Sequence, residues 1–303
     1  MKLSAVSLGI LLLVFGNLSA SLSDVAVKLL DGEVHPFQYM FLRQILSLVI
    51  ILPLWLSQAK PKRAVGSWKI NTIRAYLVLA GSSMLLVALT YLPLATANAL
   101  FYAAPLLMIP LSMLLLGEHP SKSKVIATAI GFIGILIVLR PTQFHWAAIA
   151  ALGTATTLAL YNVLVRKLPE SQSVATTLFW TCVLSLPVAT PLAWYFWQPI
   201  SMENLGLIAA SALFTLGYQG CVVMAYRQSE THQIGLAEYS GLIFVAIFGW
   251  VWFNESLDAL TLFGILLIIL PMMPKPRRKH LTTMNSETFT LNIESNNRKS
   301  PLQ

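Results

Sequence analysis

The 303-residue chain is 56% hydrophobic and only 11% charged, with a mean hydropathy of +0.71. A soluble domain carries about 25% charged residues, and here the apolar residues come in long blocks, which excludes an ordinary soluble fold and points to a polytopic membrane protein. The net charge of +8 does not argue for a nucleic-acid partner, because the Lys and Arg residues sit in short clusters between apolar blocks, where they set topology.

Blocks long enough to span a bilayer lie near 3–23, 37–57, 73–92, 94–116, 124–140, 145–165, 173–196, 204–226, 233–253 and 258–274. The first, behind Lys2 and trailed by Ser19, Ala20 and Ser21, imitates a cleaved signal peptide; it is read as a helix because the repeat described below requires it. The stretch 73–116 is too long for one span, and Pro93 in "TYLPLAT" breaks it. With the N-terminus inside, fifteen Lys and Arg residues fall in inward loops, Arg74 among them, and two, Lys28 and Arg140, fall in outward ones. That bias supports ten spans with both termini cytoplasmic. Cys182 and Cys221 lie inside apolar blocks without metal-ligand spacing, so they read as small buried hydrophobes. "KPRRKH" at 275–280 reads as an anchor to anionic lipid headgroups. The whole of 276–303 is a basic, then polar tail expected to be disordered.

The halves resemble each other. Setting Glu118 of "GEHPSKSKV" against Glu255 of "NESLDALTL" places Tyr102 on Tyr239 and Asn98 on Gly235 without a gap. At the front, "SDVAVKLL" lies over "YNVLVRKL", pairing Asp24 with Asn162 and Lys28 with Arg166. Each half holds five spans, an odd number, so the copies must face opposite ways across the membrane. Such an inverted repeat is a mark of secondary transporters. The expected organisation is an all-α polytopic membrane protein: ten transmembrane helices as two inverted five-helix repeats, 1–141 and 142–275.

At this point the runs "AYRQSETHQIGLAEYSGLIFVAIFGWVWFNESLDALTLFGILLI" (225–268) and "TYLPLATANALFYAAPLLMIPLSMLLLGEHPSKSKVIATAIGFIGILIVLRP" (90–141) carry a resemblance. They look like the closing helices of the two repeats of EamA-type carriers in the drug/metabolite transporter superfamily. "SLSDVAVKLL" and "FQYMFLRQILSLVIILPL" are similar to that family's opening helices. The resemblance implies a ten-helix carrier of the bacterial inner membrane with a central cavity between the repeats. It implies a small organic cargo, such as an amino acid, a nucleobase-like compound, S-adenosylmethionine or riboflavin. The chain departs from the family pattern at Asn254, where Gly more often precedes the Glu.

Polar residues inside the blocks are the candidates for function. A charge at the bilayer centre costs on the order of 2.5–3.5 kcal/mol, so Glu238 must face protein or water. Gly235, Gly241, Val245 and Gly249 share its face at helical spacing and let another helix approach, whereas Ile243 and Ile247 are placed toward lipid. Glu238 is therefore either a substrate-contacting or protonatable group, as its family position implies, or a fixed brace. Asp24 and Lys28 form an (i, i+4) pair suited to a salt bridge. Arg43 either snorkels outward or pairs with Asp24. Glu118 and Glu255 end their helices at opposite faces, a structural role. Trp194, Trp197 and Trp252 suit the interfacial belt. Tyr102, Tyr161, Tyr239 and Trp180 are candidates to stack on a planar substrate, with Asn98 and Asn162 as polar neighbours.

No P-loop, HExxH, nucleophile elbow or spaced His/Cys set is visible in the sequence. The expectation is therefore a secondary carrier with no cofactor and no metal, not an enzyme. Its partners would be a small-molecule metabolite and the lipid bilayer, with no nucleic acid; proton coupling and homodimer formation stay open. The rival readings are a lipid-modifying membrane enzyme and a non-transporting scaffold.

Overall fold

The computed structural model describes residues 5–117, 119–139, 145–165, 167–169, 172–228, 237, 240–256 and 258–270. Glu118, Glu238, Tyr239, Arg166 and the tail 276–303 lie outside the described residues.

Every regular element among the described residues is helical. In chain order these are α1 (Ala5–Lys28), α2 (Pro36–Leu56), α3 (Trp68–Tyr91), α4 (Leu94–Phe101), α5 (Ala103–Leu116), α6 (Lys122–Leu139), α7 (Ala147–Val165), α8 (Val174–Tyr195), α9 (Met202–Gln228), α10 (Ser240–Phe253) and α11 (Ala259–Ile269). A short 3₁₀ turn, Lys60–Arg63, lies between α2 and α3. Seven helical stretches, α4 and α5 taken as one, are long and apolar enough to cross a membrane, and α6, α10 and α11 supply three shorter apolar helices. The chain is an all-α polytopic membrane protein. Only helices could serve, since lipid offers no partner to a free backbone N–H or C=O.

Local chemistry sets the helix ends. His35 accepts from the Phe37 N–H at 3.3 Å with Pro36 at the first helical position of α2. Ser173 caps α8 through the Thr176 N–H at 3.1 Å, and Asp258 caps α11 through the Thr261 N–H at 3.3 Å. Leu92 and Pro93 separate α3 from α4 in extended conformation, as the proline predicts. At the other ends, Gly117 terminates α5 with φ 67° and Asn254 follows α10 with φ 51°. Asn254 therefore fills a left-handed position that its sequence counterpart Gly117 also adopts. Asn is among the few non-glycine residues that tolerate this region, which explains how the departure from the family pattern is accommodated.

The helices pair reciprocally between halves. α1 lies along α9 as α3 lies along α7; α2 meets α8, α6 meets α11, and α10 touches α1 as α5 touches α7. Exchanging the two sets of five spans maps each of these pairs onto another or onto itself. The faces follow the sequence: Gly241, Val245 and Gly249 of α10 are buried, whereas Ile243 and Ile247 are exposed to the lipid side. Trp194, Trp197 and Trp252 are also exposed near helix ends, consistent with an interfacial belt. One expectation is corrected here. Arg74, read as loop charge, lies within α3 and is 2% exposed.

α6 and α11 cross in close contact. A Cβ at Gly134 would come 2.7 Å from the Gly264 carbonyl oxygen, and one at Gly264 would come 2.9 Å from the Gly134 oxygen and 2.6 Å from a Val138 methyl. Backbone meets backbone there, so nothing flexible can move aside. Gly264→Val should cost about 1–3 kcal/mol and lower Tm on the order of 5 °C when unfolding is followed in detergent micelles. Gly206→Ala, where an added Cβ meets nothing within 4 Å, should leave Tm unchanged; equal losses at both sites would contradict the crossing.

Candidate functional site

α1 carries two polar stripes set by helical periodicity. Asn17, Ser21, Asp24 and Lys28 form the first, toward α4 and α10. Asn17 donates to the Ala237 carbonyl at 2.9 Å and to the Ser240 hydroxyl at 3.1 Å. Ser21 donates to the Asn17 carbonyl at 2.9 Å and lies 3.4 Å from that of Gly241. The second stripe faces α9, where the Ser23 hydroxyl meets those of Ser211 and Thr215, each at 3.0 Å.

These stripes converge on a polar cluster inside the bundle. Arg43 on α2 points inward, donating to Ser82 on α3 at 3.2 Å and to Thr215 on α9 at 3.0 Å. The Tyr39 hydroxyl reaches Ser211 at 3.3 Å. Asp24 is half-buried, hydrogen-bonded to Asn98 on α4, and lies in the field of Arg43. Asn98 also donates to the Leu94 carbonyl at 3.2 Å. Ser82 and Ser211 each sit nine residues from the near end of their helices, roughly 13 Å at 1.5 Å per residue. The cluster thus occupies the middle of a hydrocarbon layer about 30 Å thick. In that setting such polar side chains persist because they have hydroxyl or amide partners.

One end of the bundle is closed above the cluster. The Lys28 ammonium lies 3.1 Å from Glu255 Oε1 and donates to the Leu89 and Leu92 carbonyls at 3.1 and 2.7 Å. All three of its protons are therefore committed, and the Phe253 ring lies 5.2 Å away. Glu255 Oε2 accepts the Leu94 N–H at 2.6 Å, a donor freed by the start of α4, where the helix dipole favours an acid. The left-handed turn at Asn254 aims Glu255 there, and the Glu255 N–H returns to the Gly249 carbonyl at 3.0 Å. Behind this lock, a cavity of about 370 Å³ is lined by Pro93, Thr96, His145, Gly249, Glu255 and Asp258 among others.

The sequence-predicted residues separate accordingly. Asp24, Arg43 and Asn98 meet in the cluster; the outward-snorkelling option for Arg43 is corrected, because α3 and α9 offer it inward partners. Lys28 is not spent on Asp24 but on Glu255, so Glu255 ties α1 to the α10–α11 junction as well as ending its helix. Tyr102 sits at the α4–α5 junction, where a methyl on Gly241 would come within 2.9 Å of its hydroxyl. Tyr161 stacks beneath Arg74, 3.9 Å from ring centroid to guanidinium carbon. Asn162 is half-buried on α7. Trp180 lies at the opposite end, donating to the Arg63 carbonyl at 2.9 Å and meeting Trp68 edge-on, away from the cluster. Glu118, Glu238 and Tyr239 lie outside the described residues. Sequence reasoning passed over Ser23, Tyr39, Ser82, Ser211 and Thr215. The i, i+4 spacing of Ser211 and Thr215 was a signal, but hydroxyls are common in membrane helices.

Residues 7–140, and again 145–273, match the EamA-like transporter family. The chain belongs to that family. Similar proteins include an S-adenosylmethionine uptake transporter of Rickettsia prowazekii, 25% identical over 86% of this chain and 90% of that one. A pseudopaline exporter of Pseudomonas aeruginosa is 25% identical over 92% of this chain and 99% of its own. A riboflavin transporter of Vibrio cholerae is 28% identical over 69% and 72%. These relatives are small-metabolite transporters. A solved crystal structure aligns with TM-score 0.59 at 18% identity, covering 87% of this chain and 94% of that one, a likeness of fold.

The lock makes a stability prediction. Glu255→Gln should strand the Lys28 ammonium and cost about 2–3 kcal/mol, and adding Lys28→Met should recover more than half of that. A double-mutant cycle of thermal unfolding checks it; simple addition of the two losses would show that the pair is not coupled.

Proposed function

We propose that this EamA-family transporter works as a secondary carrier by alternating access, its halves 1–141 and 142–275 rocking about the Asp24–Arg43–Asn98 cluster. The observation that carries this reading is the cluster's composition: α1 to α4 come from one half, α9 from the other, and hydrogen bonds cross between them in the mid-membrane. A ligand that competes for these partners exchanges protein contacts for its own. That exchange is the differential interaction a population shift requires.

The Lys28–Glu255 pair is the gate of one face. By the bias of positive charge that face is extracellular, with both termini cytoplasmic and the carrier in the inner membrane. Asp24, within the bilayer and half-buried, is the group proposed to exchange a proton with the gradient; Glu238, in the family's cavity-lining position, is a second candidate. S-adenosylmethionine and riboflavin, named for relatives, are the first compounds to try as cargo.

Uptake of labelled compounds into proteoliposomes, with and without a pH gradient, tests this reading. Asp24→Asn and Arg43→Gln should each reduce flux at least about tenfold at equal protein density, the scale expected when a buried charged partner is lost. Trp180→Phe, away from the cluster, should keep flux within about twofold. Wild-type flux through Asp24→Asn would remove the cluster from the transport path.

A further inference from the structure

Arg74 is the buried cation that the cluster and the lock leave unexplained. It lies six residues into α3 and is 2% exposed, yet its Nε and Nη1 atoms have no hydrogen-bond partner. Lys28 has Glu255, and Arg43 donates to two hydroxyls. For Arg74, a described neighbour is Tyr161 of α7, whose ring centroid lies 3.9 Å from the guanidinium carbon and whose side chain also bonds the guanidinium. That contact offsets part of the cation's desolvation, but it leaves Nε and Nη1 without an acceptor. A guanidinium stays charged at any physiological pH. Buried donors left open on a permanent charge are costly and are not what a structural brace requires.

We infer that Arg74 is a binding residue for the carboxylate of the transported metabolite, with Tyr161 as the platform that holds the guanidinium plane. The inference rests on the carrier reading above and narrows its cargo to carboxylate-bearing molecules. Three observations place it. α3 belongs to one half and α7 to the other, so rocking that parts the halves opens the Arg74–Tyr161 contact to ligand. Arg74 and Ser82, which bonds Arg43, stand eight residues apart on α3, about 12 Å. That separation is within the reach of a metabolite of ordinary length bound at the cluster. Finally, two open N–H donors on a permanent cation suit an anionic oxygen acceptor.

The test compares S-adenosylmethionine with its decarboxylated form, and methionine with methioninol, in proteoliposome counterflow with the full chain. Wild type should prefer the acid of a transported pair at least about tenfold, since a site with open donors rejects a partner lacking the acceptor. Arg74→Gln should bring the rates of carboxylate-bearing and carboxylate-lacking members to within about threefold, and Arg74→Lys should fall between. Thermal unfolding separates this from bracing: Arg74→Gln removes an unpaired buried charge, so its Tm should equal or exceed that of wild type. Equal flux of carboxylate-bearing and carboxylate-lacking members through wild type would overturn the carboxylate site alone, as would a preference that survives Arg74→Gln or a clear fall in its Tm. No flux of any compound would sink the carrier reading for these cargoes, and the site with it.

Discussion

A membrane interior offers no water to a charge, and the architecture of this chain follows from how it meets that constraint. Two cations on the Lys28 side of the bundle are answered from other helices: Lys28 by the Glu255 carboxylate and Arg43 by the Ser82 and Thr215 hydroxyls. Each answer joins elements far apart in sequence. Glu255 fastens the α10–α11 junction to the end of α1 and the start of α4, Lys28 bonds the end of α3, and Arg43 fastens α2 to α3 and α9. Apolar packing supplies contact between helices, but lipid tails are as apolar as leucine, so it selects partners weakly. The polar residues fix which helices meet and at what depth.

The same constraint makes the assembly switchable. A buried ion pair has a large Coulomb gain opposed by a large desolvation cost, so its net worth is small and sensitive to what else can replace a partner. On the carrier reading proposed above, a lock of this kind holds one end closed without making the closed state too stable to leave. The reciprocal pairing of helices, α1 with α9 and α3 with α7, provides two interfaces through which one half can tilt against the other.

The fold was legible in the sequence because bilayer thickness sets block length and the break at Pro93 is chemically forced. The buried face of α10 was legible from the spacing of Gly241, Val245 and Gly249. Less legible was who partners whom. Asp24 and Lys28 are four residues apart and invite a local pair, yet Lys28 reaches residue 255, and nothing in periodicity reports a contact that distant. Arg74 looked like topology-setting charge because it follows Lys69 closely, and only burial shows that the helix begins before both. Hydroxyls such as Ser23 and Thr215 carry no signal alone, since membrane helices use them widely to bond their own backbone.

On the carrier reading proposed above, the halves separate and rejoin at the Lys28–Glu255 end during each transport cycle. The most direct measurement replaces these two residues with cysteines after Cys182 and Cys221, the free buried cysteines, have been changed to alanine. A short bis-methanethiosulfonate reagent then bridges the pair in proteoliposomes. Bridged protein should stop moving cargo and recover on reduction, while either single cysteine treated alike keeps its flux. Undiminished transport through the bridged protein would contradict a moving gate at this end of the bundle.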